Sequence, residues 1–70
     1  MSSTYLSMEQ IKRIPDTGII KCDSEVEATK FAAFDTNLTA IRYIENGNLV
    51  HAAVSKMDLQ KATGHTKVPA

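Results

Sequence analysis

Cysteine is nearly missing from this chain, and that scarcity excludes a class of scaffold. Cys22 stands alone among 70 residues, so an intrachain disulfide is impossible. A lone thiol fits a reducing compartment better than a secreted disulfide framework. Glycine occurs only at Gly18, Gly47 and Gly64, all isolated, so there is no glycine-rich phosphate loop. No apolar run follows a basic start, and none approaches the roughly 20 residues of a membrane span. A surplus of charge of one sign is missing too. Eight basic and eight acidic residues cancel, whereas domains that neutralise several phosphates usually carry a basic excess. These absences predict a soluble, cytoplasmic protein with no membrane partner, and they disfavour nucleic acid as the main one.

What the chain does contain is concentrated between Leu38 and Ser55, where two β-rich runs flank Glu45-Asn46-Gly47-Asn48. Asn-Gly is the strongest short-range hairpin signal, because a type I′ turn needs positive φ at both central residues. With that turn, Tyr43 faces Val50, Ile41 faces Ala52 and Thr39 faces Val54. The other face pairs Ile44 with Leu49, Arg42 with His51 and Ala40 with Ala53. Both faces are largely apolar, whereas a sheet wetted on one side alternates apolar with polar. Each face therefore needs a cover, and in so small a chain one cover is expected to come from another molecule. A domain of this size buries only about 60% of its unfolded surface, and oligomerisation is one way to add stability.

The flanks supply short helices. Ser7-Met8-Glu9-Gln10 has the capping-box form, and Leu6, Met8, Ile11 and Ile14 make a short stripe ended by Pro15. Asp16-Thr17-Gly18 makes a turn, and Ile19 to Cys22 reads as a short strand. Ser24-Glu25-Val26-Glu27 is a second capping box, opening a helix that runs to about Phe34. Its apolar residues do not form one stripe, which implies contact with two neighbours or loose packing. Ser55 caps a last helix carrying Leu59 and Ala62, and Gly64 sits at its C-cap. The expected fold is one small α+β domain of order α-β-α-β-β-α, built on a hairpin at about 38–55, with residues 1–4 and 65–70 as flexible ends. Residues 36–46 also fit a helix, with Leu38, Ile41 and Ile44 at helical spacing; a recognition helix would then precede a Leu49–Val54 wing. The β-branched and aromatic content of Thr39, Ile41, Tyr43 and Ile44 favours the hairpin.

Chemistry-bearing patterns are sparse. CxxC, HExxH and calcium-loop motifs are absent. Cys22 and His51 would meet if the first strand lies beside the hairpin, but an isolated strand cysteine is usually a small buried hydrophobe. His51, Asp58 and His65 fall short of the four tightly spaced ligands of a structural zinc site. No catalytic residue, metal or cofactor is expected, and the chain reads as a non-enzyme. The Asn37-Leu38-Thr39 sequon is discounted for want of a secretory signal.

Two partial resemblances involve less than half the chain each. The run Ala40 to Ala62, a strand, a turn with Gly47, an apolar strand and then Ser55-Lys56-Met57-Asp58-Leu59, resembles the end of the Phd/YefM antitoxin domain. That resemblance implies a dimer that binds operator DNA and neutralises a toxin; the preceding part departs from the pattern and the toxin-wrapping extension is missing. Tyr5-Leu6-Ser7-Met8 with a wing is similar to small winged-helix excisionases, against which stand the neutral charge and the long intervening segment.

The resulting expectation is a protein-interaction module, an inhibitor or adaptor of the kind used by phages and mobile elements. It would bind a host or partner protein, or a second copy as a homodimer, through Arg42, Tyr43, Leu49, Val50 and His51, since arginine and tyrosine are enriched in interfaces. The alternative is a small dimeric DNA-binding regulator using Lys12, Arg13, Arg42, Lys56 and Lys61 on phosphates.

Overall fold

A computed structural model describes residues 3–64; the tail at 65–70, including His65 and Lys67, lies outside the described residues. The order is β1 (Thr4–Tyr5), α1 (Met8–Ile11), a 3-10 turn (Asp16–Gly18), β2 (Ile20–Cys22), α2 (Glu25–Phe34), β3 (Leu38–Glu45), β4 (Asn48–Ser55) and α3 (Lys56–Thr63). This is an α+β domain around one four-stranded mixed sheet, with strand order β1-β3-β4-β2. No helix among the described residues is long and apolar enough to cross a membrane.

The hairpin organises the sheet. Asn46 and Gly47 have φ of 54° and 81°, as a type I′ turn requires. The register runs from Glu45 opposite Asn48 to Leu38 opposite Ser55, with Arg42 across from His51 and Tyr43 across from Val50. Residues 38–45 are strand, so a recognition helix in that segment is ruled out. β2 joins β4 antiparallel, aligning Ile20 with Ala53 and Cys22 with His51.

Three local expectations need correction. Thr4 is not part of a loose end: Thr4 and Tyr5 pair parallel with Ile41 and Arg42, and Leu6 N–H extends the pairing to the Arg42 carbonyl at 2.9 Å. No alternation marks a two-residue strand, so local sequence carries no trace of it. Second, the stripe from Leu6 to Ile14 suggests a helix of about two turns, but α1 is a single turn. Its Ser7 capping box closes in both directions, but Arg13 and Ile14 N–H bond to Gln10 and Ile11, three residues back. Pro15 drives Ile14 out of helical geometry and the turn tightens. Third, the box at α2 is only half closed: Ser24 Oγ accepts Glu27 N–H at 3.3 Å, while the Glu27 carboxylate reaches back to Asp23 N–H at 3.0 Å. α3 is capped as expected, by Ser55 Oγ on Asp58 N–H and by Gly64 at φ 75°.

The two faces of the sheet are unequal. On one, Ile41, Tyr43, Ala52 and Val54 pack with Leu6, Ile11, Ile14 and Ala62 into the main core, which Ile19, Val50 and Leu59 border; α1 and α3 cover it. On the other, α2 crosses β3 and β4, and the residues buried there are Ala28, Ala40 and Ala53. Both faces therefore have a cover from the chain itself, and the expected need for a foreign one narrows to what α2 leaves open.

This division predicts contrasting stability effects. Ile41→Ala empties the main core and is expected to cost about 2–5 kcal/mol. Ala28→Leu overfills the alanine contact and is expected to cost about 1–3 kcal/mol. Urea unfolding of both variants checks the pair.

Candidate functional site

α2 leads through residues 35–37 into Leu38, at the end of the sheet remote from the turn. Its first turn is held over the middle of β3 by a relay. Arg42 Nη1 donates to the Ser3 carbonyl and to Ser3 Oγ, the latter at 3.0 Å. Ser3 in turn donates from its backbone N–H and its hydroxyl to Glu25 Oε2, at 3.1 and 3.2 Å. Ser3 is buried between the strand and the helix, so one serine fixes both β1 and α2. Ten residues of α2 reach only about 15 Å, and the Ile44–Leu49 row at the turn end stays uncovered. Both side chains are exposed, as is Tyr5 beside Arg42.

The outer surface of α2 is apolar as well. At 100° per residue, Val26, Lys30, Phe34, Glu27 and Phe31 span an arc of about 140° facing away from the sheet. Val26 is 62% exposed, Phe31 42% and Phe34 89%. A shallow groove of about 250 Å³ runs between the two phenylalanines, walled by Glu27 and Lys30. Ile20, aligned with Ala53, also opens on this side. Of the nine exposed large hydrophobics among the described residues, Tyr5, Ile20, Val26, Phe31, Phe34, Ile44 and Leu49 lie on the α2 side; Met8 and Met57 belong to the helices on the other. Scattered single apolar residues are ordinary on a surface; here Ile44 and Leu49 adjoin on the sheet and Phe31 and Phe34 adjoin on α2.

A polar row crosses the same face. Tyr5, Arg42, His51 and Cys22 align laterally through β1, β3, β4 and β2. The structure thus sets Cys22 beside His51 without making them a catalytic pair. The thiol donates weakly to the Ile20 carbonyl at 3.5 Å, and His51 Nδ1 is buried with no hydrogen-bond partner. A nucleophile needs a base bonded to it and a third group orienting that base. The thiol pKa is pushed up, first by burial and then by the Glu27 and Asp23 carboxylates, opposite to what activates a cysteine. No group of three metal-ligating side chains occurs among the described residues.

The expected contact residues divide between the faces. Arg42, Leu49 and His51 are on the α2 side, Leu49 exposed and the other two half-buried. Tyr43 is buried in the core and Val50 packs against it, so the outward apolar pair of the hairpin is Ile44 with Leu49. The cations proposed for phosphates are separated too. Lys12, Lys56 and Lys61 are exposed on the α1 and α3 side, Arg13 donates to the Ala62 carbonyl at 3.1 Å, and Arg42 is on the opposite face, committed to Ser3. Sequence reading missed the outward α2 residues as a site, although the absence of a single stripe was their signal.

On the closed side, an open cleft of about 620 Å³ lies between α1 and the turn end of the sheet, lined by Ile11, Ile14, Ile19 and Tyr43 with charged residues of both signs. Lys21 and Glu45 pair along it at 3.2 Å; the bond and the carboxylate's charge push the Lys21 pKa up. Burial raises the Tyr43 phenol, with Lys21 opposing.

The raised thiol makes a pH prediction. At neutral pH Cys22 is held protonated, so alkylation by iodoacetamide should be slower than that of a model peptide thiol, with the whole rate–pH profile displaced to higher pH. The Cys22 contribution to stability should be constant below the unfolded thiol's pKa and fall as the pH climbs from there through the raised folded-state pKa, because the unfolded thiol ionises first. Alkylation rates and urea midpoints across pH 6–10 check both.

No family model, curated protein or solved structure matches this chain.

Proposed function

We propose that the protein is a small non-enzymatic interaction module, an inhibitor or adaptor of the compact kind used by phages and mobile elements. It binds a partner protein with the α2 side of its sheet. The observation that carries this reading is the exposed Ile44–Leu49 pair on the part of the sheet that α2 leaves open. Ile44 and Leu49 form the centre of the sheet's contribution, with Tyr5, Arg42 and His51 as amphipathic neighbours; Phe31 and Phe34 stand apart from them on the outer face of α2. Central apolar anchors ringed by polar groups are the usual anatomy of an interface.

The DNA-binding alternative has less behind it. Of its five cations, Arg13 and Arg42 are committed to backbone carbonyls, leaving three exposed lysines to oppose the acidic residues of a neutral chain. It predicts affinity falling steeply with salt.

The test is a tagged pull-down from host lysate, run with and without nuclease. The wild type should retain a stoichiometric protein partner after nuclease, and Ile44→Thr with Leu49→Thr should lose it. A partner set that vanishes with nuclease would overturn this reading in favour of nucleic acid. Capture unaffected by the double substitution would place the binding surface elsewhere.

A further inference from the structure

The cleft between α1 and the turn end of the sheet has an apolar floor and a buried phenol with nothing to bond to. Ile11, Ile14 and Ile19 line it beside Tyr43, whose side chain is only 1% exposed. Buried polar groups normally find a partner, yet the Tyr43 hydroxyl has none among the described residues. Among those residues the one polar side-chain atom both shut from solvent and unpartnered is His51 Nδ1, so the phenol oxygen opens onto the cleft. Burial pushes the phenol pKa up, Lys21 opposes this, and Glu45 and Asp16 reinforce it. The hydroxyl stays protonated, with those three charges near enough to act on it.

Of the charged side chains lining the cleft, Lys21 and Glu45 pair at 3.2 Å, whereas Lys12 and Asp16 form no salt bridge with each other or with another described residue. On a continuous helix, a lysine and an aspartate four residues apart would meet. Here α1 stops at Ile11, Lys12 is its C-cap, and Pro15 is extended with ψ of 141°. The pair is broken, and the cleft wall is left with one uncommitted charge of each sign.

We infer that this cleft binds a small zwitterion with an apolar body, of the class of a free aliphatic amino acid. Charge complementarity decides the class. A simple anion would gain Lys12 but meet Asp16, and a simple cation would gain Asp16 but meet Lys12; a molecule carrying both signs satisfies each. Its ammonium takes the Asp16 carboxylate and donates to the Tyr43 oxygen, its carboxylate turns to Lys12, and its side chain lies on Ile11, Ile14 and Ile19. The volume of about 620 Å³ falls within the roughly 300–1,000 Å³ of small-molecule sites. Lys12 and Asp16 are exposed, so each ionic contact is weak and the expected Kd is roughly 0.1–10 mM. The sheet separates this site from the α2 side, so the two stand or fall independently.

Amide NMR titration of the isotope-labelled full chain tests this with three probes of similar shape: L-leucine, isoamylamine and isocaproate, which carry both charges, the cation alone and the anion alone. Leucine should shift the amides of Ile11, Ile14, Ile19 and Tyr43 and bind about three- to fivefold tighter than either analogue. Lys12→Gln should abolish its advantage over isoamylamine, and Asp16→Asn its advantage over isocaproate; both positions are exposed, so the spectra should otherwise remain native. Tyr43→Phe keeps the ring in the core and should weaken leucine and isoamylamine about two- to tenfold, leaving isocaproate unchanged. Absence of shifts up to about 50 mM leucine would overturn the inference. So would an analogue of single charge that binds as tightly as leucine, shifts confined to the α2 side, or a preference for leucine that survives Lys12→Gln and Asp16→Asn.

Discussion

Positive φ at Asn46 and Gly47 closes β3 onto β4 in a single register, and everything else in the molecule is arranged around that register. Side chains alternate along a strand, so a slip of one residue would exchange the two faces. In the observed register Ile41, Tyr43 and Val54 share a face and supply the bulk that α1 and α3 close over. The complementary set holds Ala40 and Ala53 at one end, Arg42 and His51 in the middle, and Ile44 and Leu49 beside the turn. The turn thus decides which residues fold the chain and which remain available to a partner.

The alanine end of the second face sets the position of α2. With Ala28 on the helix and Ala40 and Ala53 on the sheet, the backbones approach closely and there is no place between them for a large side chain. The bulk of α2 therefore points outward. The Arg42–Ser3–Glu25 relay fixes the first turn of the helix, and its short length leaves the turn end of the sheet bare. An uneven surface follows from these two facts: a core of large residues beneath one face, a thin alanine contact beneath the other, and exposed Val26, Phe31, Phe34, Ile44 and Leu49 on the thin side.

Much of the fold was legible because its signals are local. Asn-Gly specified the turn and hence every hairpin pair; Ser7, Ser24 and Ser55 marked three helix starts, and Gly64 marked an end. The rest depends on contacts far apart in sequence. β1 exists because Leu6 N–H and Ser3 find Arg42, 36 and 39 residues away, and no pattern within Ser3 to Leu6 announces that. The site was half legible. Leu49, Arg42 and His51 were assigned to the hairpin surface, but the choice between core face and open face depended on where α2 would lie, and Tyr43 and Val50 proved to face inward. The scattered apolar residues of α2 had two readings in sequence; the sheet contact through Ala28 selects the one in which the remaining large side chains look outward.

The proposed division between a side that folds the chain and a side that binds can be measured without knowing the partner. Urea unfolding should be compared between the wild type and a variant carrying Val26→Lys, Phe34→Lys and Leu49→Thr. If these residues serve recognition, the variant should unfold within about 1 kcal/mol of the wild type, as surface substitutions generally do. A loss above about 3 kcal/mol would show that they hold the fold together, and would contradict the division of labour between the two faces.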